Sequence, residues 1–194
     1  MLTKLAAINE ILVSVGETPA LTLVSGAADT TAAETVLDAE TRKVLARGWS
    51  FNTEEDVEFT PDVSGFLAYP ADAIQVDEMP SERRDVQLVK RGTRLMNKTG
   101  NTFVFTGPVQ CKVIRLLPFD DIPYHVQRVI TAQAAKYYNR AYVGSGALDS
   151  AAGDELIMAV GAHEDAESET DDLNMLENYD VFGRLARRRY YGVV

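Results

Sequence analysis

Apolar positions recur every three to four residues at both ends of the chain and closer to every two in the middle. Leu5, Ile8, Leu12 and Val15 fall on one face of a helix expected over residues 3–15, because such spacings return to the same side at 3.6 residues per turn. Gly16 offers a C-cap and Pro19 blocks continuation. A longer helix is expected over 29–47, with Asp29, Thr30 or Thr31 as N-cap and Ala33, Val36, Leu37, Val44 and Leu45 turned inward. Arg42, Lys43 and Arg47 suit the negative end of its dipole, and Gly48 ends it.

From Trp49 to about Leu117 the period shortens, and β-branched and aromatic residues alternate between turn signals. Strands are expected at 49–53, 56–60, 74–78, 85–90, 93–97, 102–106 and 110–117. Asn97, Gly100 and Asn101 can take the left-handed backbone of a hairpin loop between two strand-like arms. In the last strand Cys111, Val113 and Arg115 alternate with Lys112 and Ile114. Pro61, Pro70, Pro80 and Pro108 sit where strands should end.

After Pro118 the helical period returns. Asp120 or Asp121 can cap, Pro123 suits a first turn, and Val126, Val129, Ile130, Gln133, Tyr137 and Ala141 form one face of a helix reaching about Tyr142. Gly144-Ser145-Gly146 reads as a hinge. A fourth helix over 147–172 carries a stripe of Ala152, Leu156, Ala159, His163 and Ala166 among many acids. The expected class is α+β: a bundle of about four helices (1–48 and 121–172), an inserted antiparallel β domain (49–120), and an extended C-terminal arm (173–194).

Composition agrees with a globular chain, at 46% hydrophobic and 25% charged residues in 194. The net charge of −10 argues against DNA wrapping, which needs an excess of Lys and Arg. That charge is concentrated. Residues 147–180 hold eleven acids and no Lys or Arg, whereas 181–194 hold four Arg and no acid. A single cysteine, Cys111, excludes an internal disulfide framework. The apolar runs fall short of the roughly 18–20 residues of a membrane span. The opening residues pass directly into a helix pattern containing Glu10, unlike a secretory leader, so a reducing cytoplasm is the expected place of synthesis and assembly.

Catalytic and metal chemistry find little material. His163 and Glu167 share a helix face, yet zinc sites need further ligands, so His163 reads as a helix-face histidine among solvated acids. Residues 149–155 bear only a loose likeness to a calcium loop. Ser145 lacks the spacing of a nucleophile elbow and follows a helix rather than a strand. Cys111 reads as a buried thiol, and pairing with His125 has no specific support. Neither dinucleotide nor phosphate-loop glycine patterns occur. Glu54, Glu55, Asp56 and Glu58 would supply a glycosidase with carboxylates, but read more simply as a solvated strand face. No cofactor and no metal site is expected, and no enzyme.

Partner binding has better material. Arg184, Arg187, Arg188 and Arg189 precede Tyr190 and Tyr191, and Arg and Tyr are the residue types that anchor interfaces. A terminal arm of this kind can reach a neighbouring subunit or touch nucleic acid.

Three stretches carry a family resemblance. Residues 7–19, from Ala7-Ile8-Asn9-Glu10 to Gly16-Glu17-Thr18-Pro19, resemble the opening helix and turn of the tail tubular protein A family of short-tailed bacteriophages. Arg47-Gly48-Trp49-Ser50-Phe51-Asn52-Thr53-Glu54-Glu55 resembles that family's helix-to-strand junction and is the most specific part. Ile122-Pro123-Tyr124-His125 through Tyr137-Tyr138-Asn139-Arg140 resembles its third helix. Order and spacing agree, so the resemblance spans about residues 5–165.

The resemblance implies a structural virion protein: a ring of about twelve subunits between portal and tail nozzle. Such a ring lets genomic DNA pass without specific binding and offers attachment sites to tail fibres or spikes. Arg47, Trp49, Phe51 and Asn52 are then expected to lock the insert to the bundle. The Arg-Tyr arm would meet the portal or a neighbour. Glu164, Asp165, Glu167 and Glu169 would give the DNA channel a negative wall that like charge keeps from adhering. The competing readings are a tail-associated glycan-degrading enzyme and a head-completion adaptor of a long-tailed phage.

Overall fold

The computed structural model describes residues 1–23, 27–79 and 86–177. Its elements run α1 (Lys4–Ser14), α2 (Ala28–Leu45), β1 (Thr53–Phe59), β2 (Leu67–Ala68), β3 (Ala73–Glu78), β4 (Leu88–Arg91), β5 (Arg94–Asn97), β6 (Val109–Arg115), α3 (Tyr124–Tyr138) and α4 (Gly146–Glu177). Helices therefore flank two small antiparallel sheets in an α+β arrangement.

α1, α2 and α3 share one apolar core. Ala7, Ile8, Ile11 and Leu12 of α1 meet Ala33, Val36, Leu37, Val44 and Leu45 of α2 and Val126, Ile130, Ala134 and Tyr138 of α3. Full burial of each large side chain contributes about 1.5–3 kcal/mol. α1 ends as expected, with Gly16 at φ +85°. The N-cap of α2 is Ala27, which has no capping side chain, while Asp29 sits inside the first turn. Asp120 does not cap α3. It accepts from the Lys4 N–H at 2.8 Å and so caps α1, 116 residues earlier. Beside it the fully buried Gln127 amide accepts from Leu2 N–H and donates to the carbonyls of Leu2 and Phe119.

α3 is covered on several sides, which a single apolar stripe does not anticipate. Tyr138 is buried and Tyr137 is exposed, the reverse of the expected face. A π-helical turn, Asn139–Val143, follows, and Gly144 at φ +72° redirects the chain into α4. α4 lies along α3 on a small contact of Val129, Ala132, Ala159, Leu156 and Val160, so it sits outside the three-helix core. It is longer than expected and continues to Glu177.

The first sheet has the order β1-β6-β3 and the second β2-β5-β4, all antiparallel. They share a second core that includes Leu67, Val76, Leu95, Cys111 and Val113. Two expected strands are absent. Residues 50–52 form a 3-10 turn, Ser50–Asn52, because Asn52 satisfies the turn's backbone rather than pairing with a strand. The segment 102–106 makes only isolated bridges, Asn97–Thr102 and Phe66–Val104. The hairpin partner of β5 is instead β4, through a turn with Gly92 at φ +62°. Asn101, at φ +48°, still takes the left-handed backbone in the 97–101 turn.

Candidate assembly site at the helix–sheet junction

α2 ends at Leu45, two residues short of the expected end, and after a turn the chain reaches Gly48, where it passes through a left-handed backbone against a strand. Gly48 has φ +74°, and a Cβ there would lie 2.8 Å from Ile114 Cδ1 on β6. The next four residues fasten helix to sheet. The Trp49 indole N–H donates to the Val44 carbonyl at 2.9 Å, and the Trp49 backbone N–H donates to Asn52 Oδ1 at 2.8 Å. The Asn52 amide donates to the carbonyls of Leu45 and Arg115, both at 2.9 Å. One side chain, 2% exposed, thus joins the end of α2, the turn, and the end of β6. Trp49 and Phe51 pack against the helical core. Arg47 is exposed, with its guanidinium carbon 6.0 Å from the Trp49 ring centre, and makes no junction hydrogen bond among the described residues.

A groove of about 530 Å³ opens beside this junction, between the end of α2, α3 and α4. Val44, Arg47, Trp49, Gln133, His163 and Glu164 are among its walls. His163 is 7% exposed, so it is no solvated surface histidine. Its ring meets Trp49 edge-on at 4.7 Å and stacks on His125 at 5.2 Å. Its position on the Ala152–Ala166 stripe is the sequence signal for this burial: that stripe is the face α4 turns toward α3.

Arg47, Trp49 and Glu164 therefore line one groove, while Asp165 is exposed on α4. The side chains of Glu167 and Glu169, and the whole of Arg184, Arg187, Arg188, Arg189, Tyr190 and Tyr191, lie outside the described residues.

Arginines tie the elements together. Arg128 on α3 reaches Glu10 of α1 and Glu155 of α4. Arg115 on β6 bridges Glu54 of β1 and Asp72. Arg140 pairs with Asp149, and this hydrogen bond holds the Asp149 carboxyl below the usual range. Residues 149–155 are helical and do not form a calcium loop.

Glu54 and Glu55 are committed to ion pairs with Arg115 and Lys112, and Glu58 accepts from Gln110. Asp56, at φ +58°, sits in the β1 bulge on the exposed face. The Ser145 hydroxyl accepts from Leu148 N–H at the start of α4. Cys111 is fully buried in the sheet core, and burial, aided by Glu78 and Asp77, pushes its thiol up to about 12. A thiol so placed is a poor nucleophile. Among the described residues no group of three or more His, Cys, Asp or Glu is arranged to hold a metal ion. None of the described helices is long and apolar enough to cross a membrane.

The family model of tail tubular proteins matches residues 5–173, which takes in all four helices and both sheets apart from the ends of α1 and α4. No curated protein matches the chain. The matched family is structural and usually non-enzymatic, and its members assemble into phage tail complexes. With the match covering most of its length, the chain belongs to the tail tubular protein family and is a structural component of the bacteriophage tail.

Proposed function

We propose that this protein is the ring-forming adaptor between the portal and the tail nozzle. Genomic DNA passes through the ring without specific binding, and tail fibres or spikes attach on its outside. The observation that carries this reading is the family match across both the helical and the sheet regions, residues 5–173. The junction supports it physically. A load-transmitting adaptor needs its helical and sheet parts to move as one, and Asn52 and Trp49 couple them through buried hydrogen bonds. The acidic distal half of α4 is assigned to the neighbourhood of the DNA passage, where like charge keeps the duplex from adhering. The protein acts without cofactor, metal or catalysis, in a virion assembled in the host cytoplasm.

Mass measurement of the full chain, alone and with portal protein, tests this reading. A closed oligomer in either state is the expected result. A stable monomer in both would overturn it.

A further inference from the structure

Residues 86–119 contain six Lys or Arg and no Asp or Glu. Lys112 and Arg115 are neutralised by carboxylates on neighbouring elements. The other four, Lys90, Arg91, Arg94 and Lys98, are exposed on or beside β4 and β5, and none of them forms an ion pair within 4.0 Å among the described residues. Arg91 and Arg94 face each other directly across the two strands, a like-charge pair that destabilises an isolated hairpin. Lys90 and Arg94 are instead propped on aromatic rings, 4.0 Å above Tyr69 and Phe66. The nearby Asp62 carboxylate feels Arg94 but is engaged with the backbone N–H groups of Ser64 and Phe66. Val63, Phe103 and Val104 are exposed beside these cations, with Val104 bridged to Phe66.

The complementary surface is on α4 of the same chain. α4 has no Lys or Arg in its 32 residues. Its outward face presents Asp154, Met158 and Asp165, with Ile157 beside them; Ile157 is 71% and Met158 74% exposed. Among the described residues α4 packs chiefly on α3, and the β2-β5-β4 sheet packs chiefly on β3. The sheet face is cationic with an apolar centre, and the α4 face is anionic with an apolar centre. A closed ring requires two such different faces on each subunit.

We propose that the β4–β5 face of one subunit docks on the outward face of α4 of a second copy of this chain. The pairing rests on the ring reading above and takes Asp165 out of the channel wall and into the interface. Arg91 and Arg94, which share one face of the hairpin, meet Asp154 and Asp165, while Val63 and Val104 cover Met158 and Ile157. Duplex DNA fits the sheet less well, because phosphates offer nothing to its exposed apolar groups.

Charge exchange in the full-length protein tests the pairing. The assembly state of wild type, R91E/R94E and D154R/D165R is measured with and without portal, with circular dichroism and thermal unfolding to check that each variant folds. The milder R91Q/R94Q covers the case in which charge reversal prevents folding. Each variant alone should associate at least tenfold more weakly than wild type. An equimolar mixture of the two reversed variants should regain association, since each reversed face then meets its complement. A wild type that stays monomeric throughout overturns the ring reading and this pairing with it. A wild type that assembles, with variants that assemble equally well, overturns the pairing and leaves the ring standing. Weakened variants that the mixture does not rescue also overturn it. Loss of binding to a short duplex DNA probe in R91E/R94E, with assembly unchanged, would reassign the patch to nucleic acid.

Discussion

The Asn52 side chain has two N–H donors and one carbonyl oxygen, and all of them are engaged with backbone at the junction. Replacing it with Ala would leave one buried donor and two carbonyls without that partner. At about 1–3 kcal/mol for a buried unsatisfied group, Asn52→Ala should lower stability by about 3 kcal/mol. Urea unfolding would read this as a lower midpoint at unchanged slope. Asn52→Asp should not rescue it, because a carboxylate cannot donate to Leu45 and Arg115. Cys111 gives a second prediction. Its folded pKa of about 12 lies above the ordinary 9.0, so the neutral thiol is favoured in the fold. The unfolded chain releases its proton first as pH rises. Stability from this group is therefore constant below about pH 9 and falls between there and the folded value. At pH 8 a maleimide should label Cys111 only after denaturant is added; prompt labelling of native protein would refute the burial. Both residues carry a signal in the sequence, Asn52 beside Trp49 and Cys111 in period-two alternation. Gln127 does not. Its partners Leu2 and Phe119 are distant or irregular in the chain, and no local period marks a buried amide.

At the scale of elements, Arg128 clamps α1 and α4 onto α3 through Glu10 and Glu155. All three side chains are partly exposed, so each pair contributes at most about 1 kcal/mol and is weakened by salt. Arg128→Ala should cost about 1 kcal/mol at low salt and less at high salt. The lost hydrogen-exchange protection should concentrate in α4, whose apolar contact with α3 is the smaller one. An equal loss across α1 and α2 would refute that. Helices were the legible part of this chain. α1, with its terminating Gly16, and the Ala–Leu–His stripe of α4 follow from spacing, because local periodicity decides which face is buried. The sheets were half legible. β3, β5 and β6 lie close to where alternation puts them, but pairing is a non-local property. The 97–101 turn looked like the centre of a hairpin, whereas β5 pairs with β4 across Gly92 and with the two-residue β2. Cap positions failed for a similar reason: Asp120 caps a helix whose start is over a hundred residues away.

At the scale of the whole molecule, the C-terminal segment enters as an expectation about partners. Removing residues 181–194 takes away four Arg and no acid. The truncated protein should retain the circular dichroism and unfolding midpoint of the full chain while losing capture of portal protein. Undiminished capture would refute a docking role for the arm. The order of elements has a consequence of its own in time. α1 and α2 are complete at Leu45, but α3, the helix that covers Ile8, Ile11, Leu12, Val36 and Leu37, is not complete until Tyr138. About ninety residues must be synthesised in between, which takes on the order of 5–20 s in a cell. During that interval the two sheets, whose strands all lie between these limits, can close their own core, while the first two helices offer an uncovered oily face at the ribosome. The nascent chain therefore has a built-in period of exposure, ended when the third helix emerges, in which a host chaperone would bind residues 4–45 rather than the insert.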